Sequence, residues 1–128
     1  MGYRVLVVDD SKLARMAVAK ALTAIHPDWT RVEAANADEA LALAKSSSFD
    51  MAILDFNMPG RDGLQLAAEM LALKPGVPLA VISANHQVEV VTRAREVGAT
   101  FLQKPLTEKA LGEFAADAVK RLAAAAVP

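Results

Sequence analysis

The chain has 128 residues, a length expected to form one domain, 1–128, around its own hydrophobic core. With 54% hydrophobic residues and a net charge of −1, neither disorder nor a surface for nucleic acid or an anionic membrane is expected. Cys is absent, which excludes disulfides and thiolate metal sites. No secretory signal or ~20-residue apolar span is visible, so the expectation is a soluble, cytoplasmic protein.

The first strand is expected at 4–8. Its VLVV core does not alternate with polar residues, which is how a parallel strand buried on both faces reads. It stops in two adjacent acids, Asp9 and Asp10. Ser11 then caps a helix over 12–25 with a loose apolar stripe of Leu13, Ala17, Leu22 and Ile25. Trp29 is expected to pack on the loop before a second strand at 30–34, and His26 to lie on the surface. Asn36 with Glu39 resembles a capping box and opens a helix over 37–46. A third strand at 51–54 leads into Asp55, within ILDFNMPG. Asp62 caps a helix over 63–73, which stops before Lys74-Pro75-Gly76.

A fourth apolar strand at 79–82 is followed by Ser83, Ala84 and Asn85. A helix over 87–97 has Gly98 just past its end. The fifth strand, 100–102, is followed by Gln103, Lys104 and Pro105. The last helix, 107–123, carries Leu111, Phe114, Ala115, Ala118 and Leu122 on one stripe, and the residues after it are expected to fray. Arg15, Lys20, Arg93, Arg95, Lys109 and Lys120 read as solvated charges.

Five strand–helix units predict an α/β fold: a doubly wound, five-stranded parallel sheet with five helices on its two faces. Such sheets bind ligands beyond the carboxyl ends of their strands, beside the point where strand order reverses. Asp9, Asp10, Asp55, Ser83 and Lys104 all follow apolar runs and fall on that edge. In the order 2-1-3-4-5 the first and third strands are neighbours, so their carboxylates would cluster. Clustered carboxylates repel, and a hard divalent cation removes that penalty. An all-oxygen donor set favours Mg²⁺, with Mn²⁺ as the alternative. A cation, the Lys104 ammonium and the Ser83 hydroxyl around one carboxylate would stabilise a phosphoryl group on Asp55.

At this point the residues VVDDS, ILDFNMPGRDG, VISA and FLQKP, each at a strand end, carry a resemblance. The chain resembles the receiver domain of two-component response regulators, most closely the single-domain chemotaxis type. The resemblance implies that Asp55 is the phosphoacceptor. It also implies that Asp9, Asp10 and the backbone carbonyl of Asn57 hold Mg²⁺. Ser83, Ala84 and Lys104 would meet the phosphoryl group, and Phe101 would stand at the rotamer-switch position. The Lys104–Pro105 peptide would be cis, and Asn57 and Asn85 would tune hydrolysis.

The implied partners are a sensor histidine kinase or phosphotransfer protein and a downstream protein target. The target would be read by the surface of the fourth helix, fifth strand and fifth helix, with no direct contact to nucleic acid or membrane. A monomer is expected; dimerisation on phosphorylation is left open, as is a receiver cut from a longer regulator. Three rivals stand beside this reading. An Asp-nucleophile phosphohydrolase would carry Asp-x-Asp at its first strand, and a flavodoxin-like nucleotide binder would need a glycine-rich loop in place of DDSK. A degenerate receiver serving only as a scaffold would lack the intact acids and lysine.

Overall fold

A computed structural model describes residues 2–58, 60, 62–84 and 88–126. Five strands and five helices alternate along it. They are β1 (Arg4–Val8), α1 (Lys12–Ile25), β2 (Thr30–Ala34), α2 (Ala37–Ser46), β3 (Met51–Asp55), α3 (Gly63–Leu73), β4 (Leu79–Ser83), α4 (Val88–Val97), β5 (Thr100–Gln103) and α5 (Glu108–Ala126). All neighbouring strands run parallel in the order β2-β1-β3-β4-β5, as expected for the doubly wound class. No helix among the described residues is long and apolar enough to cross a membrane.

The alternation of side chains along each strand splits the core in two. Leu6, Val8, Ala52, Leu54, Leu79 and Val81 pack toward α2, α3 and α4. Val5, Val7, Met51, Ile53, Ala80, Ile82 and Leu102 pack toward α1 and α5, against Val18, Leu22, Leu111, Phe114 and Ala118. The central strands β3 and β4 are buried at every position, which is why their sequences show no polar alternation. Each fully buried Leu, Ile, Val or Met contributes about 1.5–3 kcal/mol over its exposed state.

The caps follow the sequence closely. Ser11 Oγ accepts from the Ala14 amide. At α3, Asp62 accepts from the Gln65 amide and Gln65 Oε1 accepts from the Asp62 amide, a complete capping box. At α2, Asn36 Oδ1 accepts from the Glu39 amide as expected. The Glu39 carboxylate, however, reaches one residue further back and accepts from the Ala35 amide. Gly98, at φ +89, takes the left-handed position after α4 that L side chains avoid.

The structure corrects several expectations. Helix α1 is rotated from the expected stripe: Leu13 is 77% exposed, and the core-facing residues are Val18, Leu22 and Ile25. The i, i+4, i+7 set of branched residues fixes the phase, and the Ala-rich remainder leaves it ambiguous in sequence. β3, β4 and β5 each run one residue longer than expected. The ladder continues through Asp55, Ser83 and Gln103, with Phe56 N donating to Ile82 O and Lys104 N to Ser83 O, both at 2.9 Å. α5 continues to Ala126 instead of fraying at 123, in keeping with its run of Ala. His26 is half-buried, its ring stacked on Trp29 at 3.8 Å, where Trp29 also meets Tyr3 edge-on at 5.2 Å.

Candidate functional site

The site grows out of strand register. Val8 pairs with Leu54, so the next residues on the two strands, Asp9 and Asp55, are side by side at the carboxyl edge of the sheet. Both continue the alternation of the residues facing α1 and α5, so their carboxylates emerge on one face. Lys104 continues the same alternation from Leu102 on β5. Its ammonium stands 2.8 Å from Asp55 Oδ1 and 4.0 Å from Asp9 Oδ2. The Lys104–Pro105 peptide is cis, as the resemblance implied.

Asp9 and Asp55 are each only 2% exposed. Asp10, next to them, is exposed. One carboxylate oxygen from each of Asp9, Asp10 and Asp55 lies within 4.8 Å of the others. Burial pushes the Asp9 carboxyl up from its ordinary 3.8, and the charges of Asp55 and Asp10 push it the same way; the bond from the Ser11 amide and the Lys104 ammonium oppose them. The Lys104–Asp55 contact is close but off the line of a hydrogen bond. Among the described residues, neither Asp9 Oδ2 nor Asp55 Oδ1 has a hydrogen-bond partner. Two buried carboxylate oxygens without such partners are costly in a dry interior. A hard cation fits this donor set: the ligands are all oxygen, converge from two strands, and carry more negative charge than one lysine balances.

The remaining expected residues fall as follows. Ser83 ends β4 and is fully buried. Ala84 follows it at the exposed rim, and Asn57 is exposed two residues past Asp55. Phe101 is half-buried against the α2–α4 side of the core, paired in register with Val81, two residues before Ser83. Asn85 lies outside the described residues.

Two residues beside the site were given no role by the sequence, although Gly63 closes the ILDFNMPGRDG motif. Gly63 opens α3 directly behind the end of β3. A Cβ there would overlap the Asp55 carbonyl oxygen and stand 2.9 Å from the Phe56 Cα, so only glycine allows this approach. Arg15 was expected on a solvated face. Its side chain is instead only 15% exposed, and its Nη1 donates to the Asp9 carbonyl at 2.6 Å. Nothing in sequence spacing marks a side chain that bonds a backbone carbonyl six residues earlier. Arg93 is exposed as expected, though it stands 3.7 Å from Asp62. Lys20, Arg95, Lys109 and Lys120 are exposed.

Comparison with known proteins points one way. A family model described as the response regulator receiver domain matches residues 5–116. The Transcriptional regulatory protein PdtaR of Mycobacterium tuberculosis is 38% identical over 105 residues, 81% of this chain and 50% of that protein. The Positive alginate biosynthesis regulatory protein of Pseudomonas aeruginosa is 39% identical over 113 residues, 85% of this chain and 44% of that one. The chain thus spans about half the length of these curated relatives. Among solved structures, the chemotaxis protein CheY4 of Vibrio cholerae superimposes with a TM-score of 0.82 at 28% identity, covering 92% of this chain and 99% of that one.

Proposed function

The chain belongs to the response regulator receiver domain family of two-component signalling, and on that premise we propose that Asp55 is its phosphoacceptor. The donor is a phosphohistidine on a sensor kinase or phosphotransfer protein. An Asp55 oxygen bonds to phosphorus as the phosphorus–nitrogen bond breaks, and the freed imidazole takes a proton from solvent. The observation that carries this reading is the buried Asp55 carboxylate, with the Lys104 ammonium 2.8 Å away and Asp9 beside it.

Each residue then has a role. Burial withdraws the Asp55 nucleophile from water and raises the weight of nearby charge. Lys104 neutralises the growing charge on the phosphoryl oxygens from the β5 side. Asp9, Asp10 and the Asn57 carbonyl hold Mg²⁺, or Mn²⁺ in its place, which when bound offsets the repulsion among the acids and the phosphoryl group. Ser83 donates its hydroxyl to a phosphoryl oxygen, and the small Ala84 beside it leaves room for that group. Asn57, two residues past Asp55 in sequence, and Asn85, two past Ser83, tune how fast the phosphoryl group is hydrolysed.

The output is a change of shape. Ser83 and Phe101 lie on the same side of the sheet by strand alternation, on adjacent strands. Movement of Ser83 toward the phosphoryl group opens space that Phe101 turns in to fill, altering the α4–β5–α5 surface. Phe101 has no hydroxyl, so packing alone drives its turn. One charged and one hydroxyl hydrogen bond supply about 2–4 kcal/mol, less than the ~5 kcal/mol of a full population shift, so binding of the downstream protein completes the change.

The curated relatives support a second arrangement of the output, because the chain matches only about half of each. In that arrangement the same receiver governs a further region of a longer regulator.

Intact-mass spectrometry after incubation with acetyl phosphate and Mg²⁺ tests the acceptor. One added phosphoryl group is expected on the wild type and none on Asp55→Asn. Equal incorporation by the two proteins would overturn the assignment.

A further inference from the structure

The turn carrying Asp9 and Asp10 is held from three directions. The Asp9 amide donates to Ala34 O on β2 at 3.2 Å. The Ser11 amide donates to Asp9 Oδ1 at 2.9 Å. Arg15 Nη1 donates to the Asp9 carbonyl at 2.6 Å, while its Nε donates to Glu33 Oε1 on β2 at 3.0 Å. One guanidinium therefore ties the β1–α1 turn to the edge strand. A planar fork of fixed donors suits this double attachment, and a lysine ammonium would not reproduce it. Arg15 is mostly covered, and Glu33 is 40% exposed.

The position of this clamp is informative. Asp10 is exposed, so its carboxylate is directed by the backbone of the turn rather than by packing. The carbonyl that Arg15 holds belongs to Asp9 and lies directly before Asp10. We propose that Arg15 is a positioning residue for the divalent cation: anchored by Glu33, it fixes the turn so that the Asp9 and Asp10 carboxylates converge on Asp55. This inference rests on the metal site proposed above and goes beyond it by assigning the residues that shape the site without touching the ion.

Two roles for Arg15 differ in sign. A guanidinium acting only as a positive charge near the acids would repel Mg²⁺, and its removal would tighten binding. A guanidinium acting as a clamp preorganises the ligands, and its removal weakens binding. Loss of a group that orients metal ligands typically costs tenfold or more in affinity.

The experiment is isothermal calorimetry with Mg²⁺ alone on wild type, Arg15→Gln and Glu33→Gln, with thermal melts to verify folding. It is joined by the Mg²⁺ dependence of phosphoryl incorporation from acetyl phosphate. Arg15→Gln is expected to weaken Mg²⁺ binding about tenfold. The incorporation rate at saturating Mg²⁺ is expected to stay within about twofold of wild type, because Arg15 touches neither the phosphoryl group nor the acceptor side chain. Glu33→Gln, whose exposed pairing is worth less, is expected to weaken binding about two- to threefold. In metal-free protein, exchange of the Asp9 and Ser11 amide hydrogens is expected to speed up in both variants. Unchanged or tighter Mg²⁺ binding by Arg15→Gln would overturn the proposal while leaving the metal site intact. Failure of the wild type to bind Mg²⁺ would overturn the metal site and the proposal together.

Discussion

The two ends of the same sheet are built on opposite principles. At the amino edge, polar groups are matched. Asp50 Oδ2 accepts from the Arg4 amide while the Asp50 amide donates to Arg4 O, both at 2.8 Å. Thr30 N donates to Tyr3 O, and Trp29 is wedged between Tyr3 and His26. At the carboxyl edge, β1 leads into Asp9 and β3 ends in Asp55, and Asp9 Oδ2 and Asp55 Oδ1 are buried without hydrogen-bond partners among the described residues. The difference teaches where stability and function reside. The amino edge is closed and stabilising, whereas the carboxyl edge gathers like charges that the cation and phosphoryl group of the proposed function would relieve.

Substitutions on either side sharpen this contrast. The largest effect on stability is expected from Gly63→Ala, because the new methyl must displace the backbone of Asp55 and Phe56; a loss of about 2–4 kcal/mol in urea denaturation is expected. At the closed edge, Trp29→Ala removes the stack on His26 and the contact with Tyr3. It is expected to cost about 2 kcal/mol in the same assay and to leave phosphoryl incorporation per folded molecule unchanged. At the carboxyl edge the sign reverses: Asp9→Asn removes one buried like charge and is expected to raise the metal-free Tm by about 3–6 °C, although it removes a proposed cation ligand.

The pH dependence of that last gain is the smallest effect and follows from the raised Asp9 carboxyl. A folded-state pKa above the ordinary 3.8 means that the folded protein holds this proton more tightly than the unfolded chain. The associated stability is present below the unfolded value and is lost as pH rises through the folded one. The metal-free difference in stability, wild type minus Asp9→Asn, is therefore expected to fall as pH is raised from about 4 toward neutrality. Thermal melts of both proteins across that range measure it, and a rising difference would contradict the burial of Asp9 among like charges.

Much of this was legible in the sequence because two short-range signals determine it. Short apolar runs such as MAIL and LAVI, set between helical patterns, read as doubly covered parallel strands, and the polar residue ending each run falls on the carboxyl edge. Asp9, Asp55 and Lys104 were visible for that reason. The phase of α1 was not, because its Ala-rich face gives little contrast and Leu13 looked like a core residue. Arg15 was hidden for another reason: its partner is a carbonyl, which is present at every position and leaves no trace in spacing. The role of Gly63, the last residue of ILDFNMPGRDG, was hidden because a close approach between a helix start and a neighbouring strand end is a property of three dimensions.

The contrast between the edges is tested most directly by following Tm as Mg²⁺ is added to wild type and to the Asp9→Asn/Asp10→Asn double variant. A saturable rise in the wild type, absent from the double variant, is expected, since a ligand bound only by the folded state stabilises it. A wild-type Tm indifferent to Mg²⁺, or an equal rise in both proteins, would contradict a carboxyl edge whose clustered acids bind a cation.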